Sequence, residues 1–178
     1  MTLSAETQRT LYETLDLADQ AEVVFLSTCN RKEVYLYGTD DDVRRVQAAL
    51  SAEAGQPWPS DHAFLLENEA AIRHVLQVAC SLRSMVTGDS QIFAQLKNAY
   101  QRAVDHGGVE SVMHRLMHAA FRAAKRVANE TDLASGAASV STAAIAMARD
   151  FFADRDGIAD LSDLRVLLVG AGKMGRLA

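Results

Sequence analysis

The chain has 178 residues, 49% of them hydrophobic and 23% charged, with a formal net charge of -5. That composition fits a soluble globular chain of one ordinary domain, or a small domain plus part of another, and the polar, acidic stretch 1–19 is unlike a secretory leader. No run approaches the roughly 20 consecutive apolar residues of a membrane span, and the acidic balance excludes generic nucleic-acid binding over the whole surface while leaving room for a local basic face. The cytoplasm is the expected compartment, where Cys29 and Cys80 stay as thiols and do not pair.

Ser4 is placed to cap a short amphipathic helix reaching Leu17, with Leu11, Leu15 and Leu17 as its apolar positions. The β-branched and aromatic run Val23-Val24-Phe25-Leu26 then predicts a buried strand. Ser27-Thr28-Cys29-Asn30-Arg31 follows at its C-terminal mouth. A thiol is placed there among small hydroxyls, an amide and a cation. Arg31 is positioned to activate the thiol or to clamp a carboxylate, and Ser27, Thr28 and Asn30 offer donors to a developing oxyanion.

A second strand is predicted over Glu33 to Tyr37, with Val34 and Leu36 alternating against Tyr35 and Tyr37. A helix follows over Asp40 to Glu53, ended by the stretch Gly55 to Pro59, and Ala63-Phe64-Leu65-Leu66 has the composition of a further short strand. The pattern is that of a small α/β layer, close to a ferredoxin-like βαββαβ sandwich whose first strand is missing.

From Glu67 onward the periodicity is helical. Ile72, Val75, Leu76 and Ala79 mark one helix. Ile92, Leu96, Ala99, Tyr100 and Ala103 mark the next, stopped at His106-Gly107-Gly108. Between them runs a polar connector, Ser81 to Gln91. A third helix, Ser111 to Thr131, has an apolar side of Val112, Leu116, Ala120, Ala123 and Val127. It displays Arg115, His118, Arg122, Lys125 and Arg126 elsewhere, which reads as solvated surface or as a phosphate-contacting face.

A fourth helix is predicted over Ser139 to Asp154. The apolar run Arg165 to Val169 then leads into Gly170-Ala171-Gly172-Lys173-Met174-Gly175, a GxGxxG pattern placed directly after a strand. That arrangement admits a dinucleotide pyrophosphate to a helix N-terminus. Two units are therefore expected. Residues 1–134 form a catalytic, substrate-binding domain, with its α/β layer to about 66 and its helical part from about 67. Residues 135–178 begin a truncated nucleotide-binding Rossmann domain.

Among the histidines, His74 falls on the polar side of its helix and next to the connector, which singles it out. His114 and His118 stand at i and i+4 with no third ligand signalled, so no metal is expected and both read as surface residues. Cys80 reads as a core cysteine.

Several separated stretches resemble one family. Leu26-Ser27-Thr28-Cys29-Asn30-Arg31-Lys32-Glu33-Val34-Tyr35 is similar to the STCNRxE(I/V)Y signature of glutamyl-tRNA reductase. Arg73-His74-Val75-Leu76-Gln77-Val78-Ala79 resembles its RHLFxVA. Ser84-Met85-Val86-Thr87-Gly88-Asp89-Ser90-Gln91-Ile92, with Gln95 beyond, resembles SMVxGExQI followed by Q. Lys125-Arg126-Val127 with Glu130-Thr131, Ser139-Val140-Ser141 and the GAGKMG turn continue the likeness in family order.

The resemblance implies NADPH-dependent reduction of glutamyl-tRNA to glutamate-1-semialdehyde through a cysteine thioester, the first step of tetrapyrrole synthesis. It makes Cys29 the nucleophile and His74 a residue important for activity. Substrate contacts would fall at Thr28, Asn30, Arg31, Ser84, Asp89, Ser90, Gln91 and Gln95, with Arg31 a partner for the amino acid's α-carboxylate. Cofactor contacts would fall at Gly170, Ala171, Gly172, Lys173, Met174 and Gly175. Implied partners are a second copy of the chain in a homodimer and glutamate-1-semialdehyde aminomutase.

Departures from the family pattern accompany the likeness. Ser81 stands for a usual Gly, Arg83 for an acidic residue, Asp89 for Glu and Ser90 for Pro, and the NHKTAP-like stretch has no counterpart before Ser4. The expectation is a fragment of a reductase that carries the thiol site, with a non-catalytic tRNA- or partner-binding remnant as the alternative.

Overall fold

The computed structural model describes residues 3–59, 61–84, 90–131 and 140–157, together with Ser162, Leu164, Arg165 and Leu167. In chain order the elements are α1 (Ala5–Thr14), β1 (Glu22–Ser27), β2 (Lys32–Tyr37), α2 (Asp40–Ala54), α3 (Asn68–Ala79), α4 (Ser90–Asp105), α5 (Ser111–Glu130) and α6 (Val140–Asp156). Of the apolar run expected as a buried strand, only Arg165 and Leu167 are described; neither lies in a strand and Leu167 is exposed, while the turn Gly170–Gly175 lies outside the described residues. None of the described helices is long and apolar enough to cross a membrane.

β1 and β2 pair antiparallel, with Glu22 opposite Tyr37 at one end and Ser27 opposite Lys32 at the other. Side chains alternate along a strand, so one hairpin feeds two cores. Val23 and Phe25 join Leu11 of α1 and Val46 of α2, while Val24, Leu26 and Tyr35 join the buried residues of α3, α4 and α5. The run 22–26 is buried on both faces, which is why it carries no polar alternation.

α1 begins where expected, the Ser4 hydroxyl accepting the Thr7 N–H at 3.0 Å, but stops at Thr14, not at Leu17. Leu15 is extended, and Leu15 and Leu17 reach the same core from outside the helix. The reason is tertiary. The buried Asp42 carboxylate takes the Ala18 N–H at 2.9 Å and also closes the capping box of α2, accepting Thr39 N–H at 2.8 Å and Thr39 Oγ1–H at 2.7 Å. These bonds, led by that from the Thr39 N–H, hold the Asp42 carboxyl below its ordinary value.

The stretch Ala63–Leu66 is not a strand. It is irregular, Phe64, Leu65 and Leu66 are exposed, and among the described residues the sheet has only two strands, so no ferredoxin-like sandwich is completed here. Composition favoured a strand, but among the described residues no strand pairs with it.

In the helical half, Val75 and Val78 of α3, Leu96 and Ala99 of α4, and Met113, Met117 and Ala120 of α5 form the centre of the larger core. Gly107, at φ 71°, ends α4. At Gly108 a Cβ would lie 2.7 Å from the Tyr12 ring and 3.0 Å from the Val23 carbonyl oxygen, and its own C=O accepts the Val23 N–H at 2.7 Å. Only glycine lets this connection lie against the edge of β1.

Beside it the buried Glu22 carboxylate accepts the N–H groups of Glu110, Val112 and Met113 at 2.7, 2.9 and 2.8 Å. Glu110, at the N-cap of α5, makes no side-chain cap of its own. A residue on β1 thus satisfies the helix's orphan donors. α6 leaves Ile145, Met147 and Phe151 exposed.

Candidate functional site

The loop between the strands is only Thr28 to Arg31, and it is closed by its own first residue. Thr28 N–H donates to the Arg31 C=O at 2.9 Å, and the buried Thr28 hydroxyl accepts the N–H groups of Asn30 and Arg31 at 3.2 and 3.0 Å. Ser27 Oγ accepts the Leu3 N–H at 2.9 Å. The Thr28 hydroxyl therefore shapes the turn, while that of Ser27 ties the N-terminal segment to the end of β1. Cys29 and Asn30 stand at its tip, the Cys29 thiol exposed and, among the described residues, without a hydrogen bond.

Behind the tip lies a half-buried polar cluster centred on Glu33. The Arg31 guanidinium meets Glu33 Oε1 at 3.0 Å, the Tyr35 hydroxyl donates to Oε2 at 2.7 Å, and His74 Nε2 lies 3.0 Å from the same oxygen. The other arm of Arg31 donates to the Arg83 carbonyl. Three stretches far apart in sequence are joined in this way: the Cys29 loop, the middle of α3, and the start of the α3–α4 connection.

A carboxylate only accepts, so His74 Nε2 carries the proton that faces Glu33, and Nδ1 is left as the ring's acceptor nitrogen. Burial, and next the Glu33 charge, push the Tyr35 hydroxyl above its ordinary value, so it remains a donor. The Phe64 ring stands edge-on to the His74 imidazole with centroids 5.8 Å apart.

His74 was expected on the polar side of its helix. The structure instead tucks its side chain in at 13% exposure against Glu33. Ser84 is half-buried just after Arg83, and Gln91 and Gln95 are half-buried in the first two turns of α4. Asp89, the Ser90 side chain and Gly170 to Gly175 lie outside the described residues.

The sequence places Glu33 at the start of the second strand and within a motif, but does not single it out as a site residue. Its signal was its position, two residues before Tyr35 on the face of β2 that turns to the larger core. A carboxylate on that face needs partners.

The other sulfur and imidazoles sort differently. Cys80 is half-buried, and burial pushes its thiol up. His118 is exposed as expected but His114 is half-buried, and both ring nitrogens converge on the Tyr100 hydroxyl, Nδ1 of His114 at 2.5 Å and Nε2 of His118 at 3.0 Å. Among the described residues no group of three His, Cys, Asp or Glu side chains gathers as metal ligands.

An accessible thiol on a tight hairpin turn, backed by a carboxylate that organises an arginine and a histidine, defines an α/β domain of the thiol-presenting kind. Residues 1–131 match the family model described as glutamyl-tRNAGlu reductase, N-terminal domain. The chain is 59% identical over 176 residues to the glutamyl-tRNA reductase of Salinibacter ruber, which covers 99% of this chain and 36% of that protein. It is 41% identical over 158 residues to the one from Aquifex aeolicus, covering 88% of this chain and 37% of that protein. The solved glutamyl-tRNA reductase from Methanopyrus kandleri superposes with a TM-score of 0.64 at 32% identity, over 97% of this chain and 39% of that one. The chain belongs to the glutamyl-tRNA reductase family. It spans well under half the length of these relatives.

Proposed function

We propose that this chain carries the acyl-transfer site of an NADPH-dependent reduction of glutamyl-tRNA to glutamate-1-semialdehyde, the entry to tetrapyrrole synthesis. What supports this reading best is the exposed Cys29 thiol on a turn whose last residue, Arg31, is tied to Glu33 and through it to His74.

The Cys29 sulfur attacks the carbonyl carbon of the ester that links glutamate to the tRNA. The S–C bond forms, the tetrahedral intermediate collapses, and the C–O bond to the terminal ribose breaks. His74 takes up the thiol proton at Nδ1 and returns it to the leaving ribose oxygen, while Glu33 at Nε2 fixes the tautomer and stabilises the transient imidazolium. This geometry is suited to a thioester because sulfur donates weakly into the carbonyl, leaving it open to reduction. NADPH, when bound, supplies hydride; the residues expected to hold it, Gly170 to Gly175, are not among those described.

The α-carboxyl of the glutamyl group is the one esterified to the tRNA, so the free carboxylate is the γ one. Arg31 is already committed to Glu33 and the Arg83 carbonyl, which favours a positioning role for it over an α-carboxylate clamp. Thr28 is likewise read as holding the turn. Asn30, Ser84, Asp89, Ser90, Gln91 and Gln95 stay as proposed substrate contacts. The division at residue 134, the homodimer, the aminomutase partner and a cytoplasmic site of action belong to the same reading.

Incubation with glutamyl-tRNA followed by intact-mass and peptide mapping tests it. The expected result is one glutamyl adduct on Cys29, released by hydroxylamine and missing in Cys29→Ser. An adduct that persists in Cys29→Ser, or no adduct with intact substrate, rejects the site.

A further inference from the structure

α5 is chemically lopsided. Its buried stripe, Met113, Met117, Ala120 and Ala124, recurs at helical spacing. The opposite side carries Arg115, Arg122 and Arg126, flanked by His118 and Lys125, all exposed. Four Arg and Lys face a single carboxylate on this helix, Glu130. The chain as a whole is acidic at -5, so this concentration runs against its overall balance.

The pairing is lopsided as well. Glu130 holds Arg126 through two bonds of 3.0 and 3.1 Å, and the Arg115 Nε donates to the Ser111 carbonyl. Among the described residues, Arg122 and Lys125 have no ion pair. At a rise of about 1.5 Å per residue, Arg115 to Arg126 makes a ridge about 16 Å long. α5 lies directly on α3, the helix that carries His74, with the Met117 and Val75 side chains in one core.

We infer that this ridge is a docking surface for the sugar-phosphate backbone of the tRNA whose charged end meets Cys29. The inference rests on the glutamyl-tRNA reading and adds where the RNA lies. Unpaired cations on a rigid helix position a polyanion without reading its sequence, and each phosphate they neutralise releases counterions. The spacing suits backbone tracking, since RNA duplexes offer proteins shape and phosphates more readily than major-groove base edges.

The test uses uncharged glutamate tRNA as the probe and follows its binding by anisotropy across a salt series. R122E/K125E should bind about tenfold more weakly, and its log–log salt slope should flatten by about 1.5 to 2. R122A/K125A should show the same flattening with a smaller loss of affinity. R44E, at an exposed position of α2, should match the wild type, and thermal melting should be alike for all, because every substituted side chain is exposed.

A slope and affinity unchanged in both ridge variants overturn the inference. If R44E weakens binding as much as R122E/K125E, the attraction is diffuse and the inference is likewise overturned. Wild-type protein that acylates Cys29 from glutamyl-tRNA but has an unaltered ridge variant fails only the ridge. Wild-type protein that neither binds tRNA nor becomes acylated fails the functional reading with it.

Discussion

On the side of the hairpin that meets α1 and α2, the residues turned inward are Val23, Phe25, Val34 and Leu36, all hydrocarbon. On the side that meets α3, α4 and α5, Val24 and Leu26 share the surface with Glu33 and Tyr35, and His74 comes down onto them. The first side is held by packing and can be filled by any well-shaped apolar set. On the second, each polar group is there because another needs it, and that mutual need draws the Cys29 turn to α3. The same two strands therefore serve as a stiff floor on one face and as a chemical mount on the other.

The contrast is sharpest at Phe25, which is fully buried on the apolar side. Phe25→Ala should cost about 3–5 kcal/mol in urea unfolding through cavity formation, while the protein that stays folded still acylates Cys29. An equal loss of acylation per folded molecule would break the division between the faces.

Glu33→Gln should behave in reverse. The amide cannot accept from Arg31, Tyr35 and His74 together, so Cys29 acylation should fall about 100-fold, equivalent to about 2.7 kcal/mol, with stability changed far less. A variant acylated at the wild-type rate would remove Glu33 from the site.

Asp42→Asn examines the one charged group buried on the structural side among the described residues. Because the folded carboxyl is held below its unfolded value, its contribution is fully present above about pH 4 and is lost as pH falls through the folded value. The variant should therefore lose about 1–3 kcal/mol at pH 7, and the gap to wild type should close on acidification. A gap independent of pH would mean that the bonds to Thr39 and Ala18 matter without the charge.

The smallest effect belongs to Ser81, which ends α3 at φ 61° with its N–H on the Val78 carbonyl while Leu82 N–H reaches the Gln77 carbonyl. This is a helix stop that favours glycine, the residue usual in the family pattern. Ser81→Gly should stabilise the fold by about 1 kcal/mol, seen as a rise in melting temperature. A fall would show that the serine side chain is needed at this helix end.

Much of this was legible from the chain, for reasons that differ by residue. Strand β1 announced itself because both of its faces are buried, and the caps at Ser4 and Gly107 because local backbone chemistry decides them. The exposed Cys29 turn followed from where the apolar run ended. What escaped was set by distant partners. The end of α1 depends on Asp42, 24 residues beyond Ala18, and His74 is drawn inward by a carboxylate 41 positions away. Ala63–Leu66 has strand composition but, among the described residues, no strand beside it, and Phe64 stands against an imidazole instead.

Glu22 has one more implication. α5 cannot finish its first turn with its own residues; it borrows a carboxylate from the strand whose other end runs on to the Cys29 turn. The hairpin and the helices are thus fastened at their seam, and loosening either should melt both in one cooperative step.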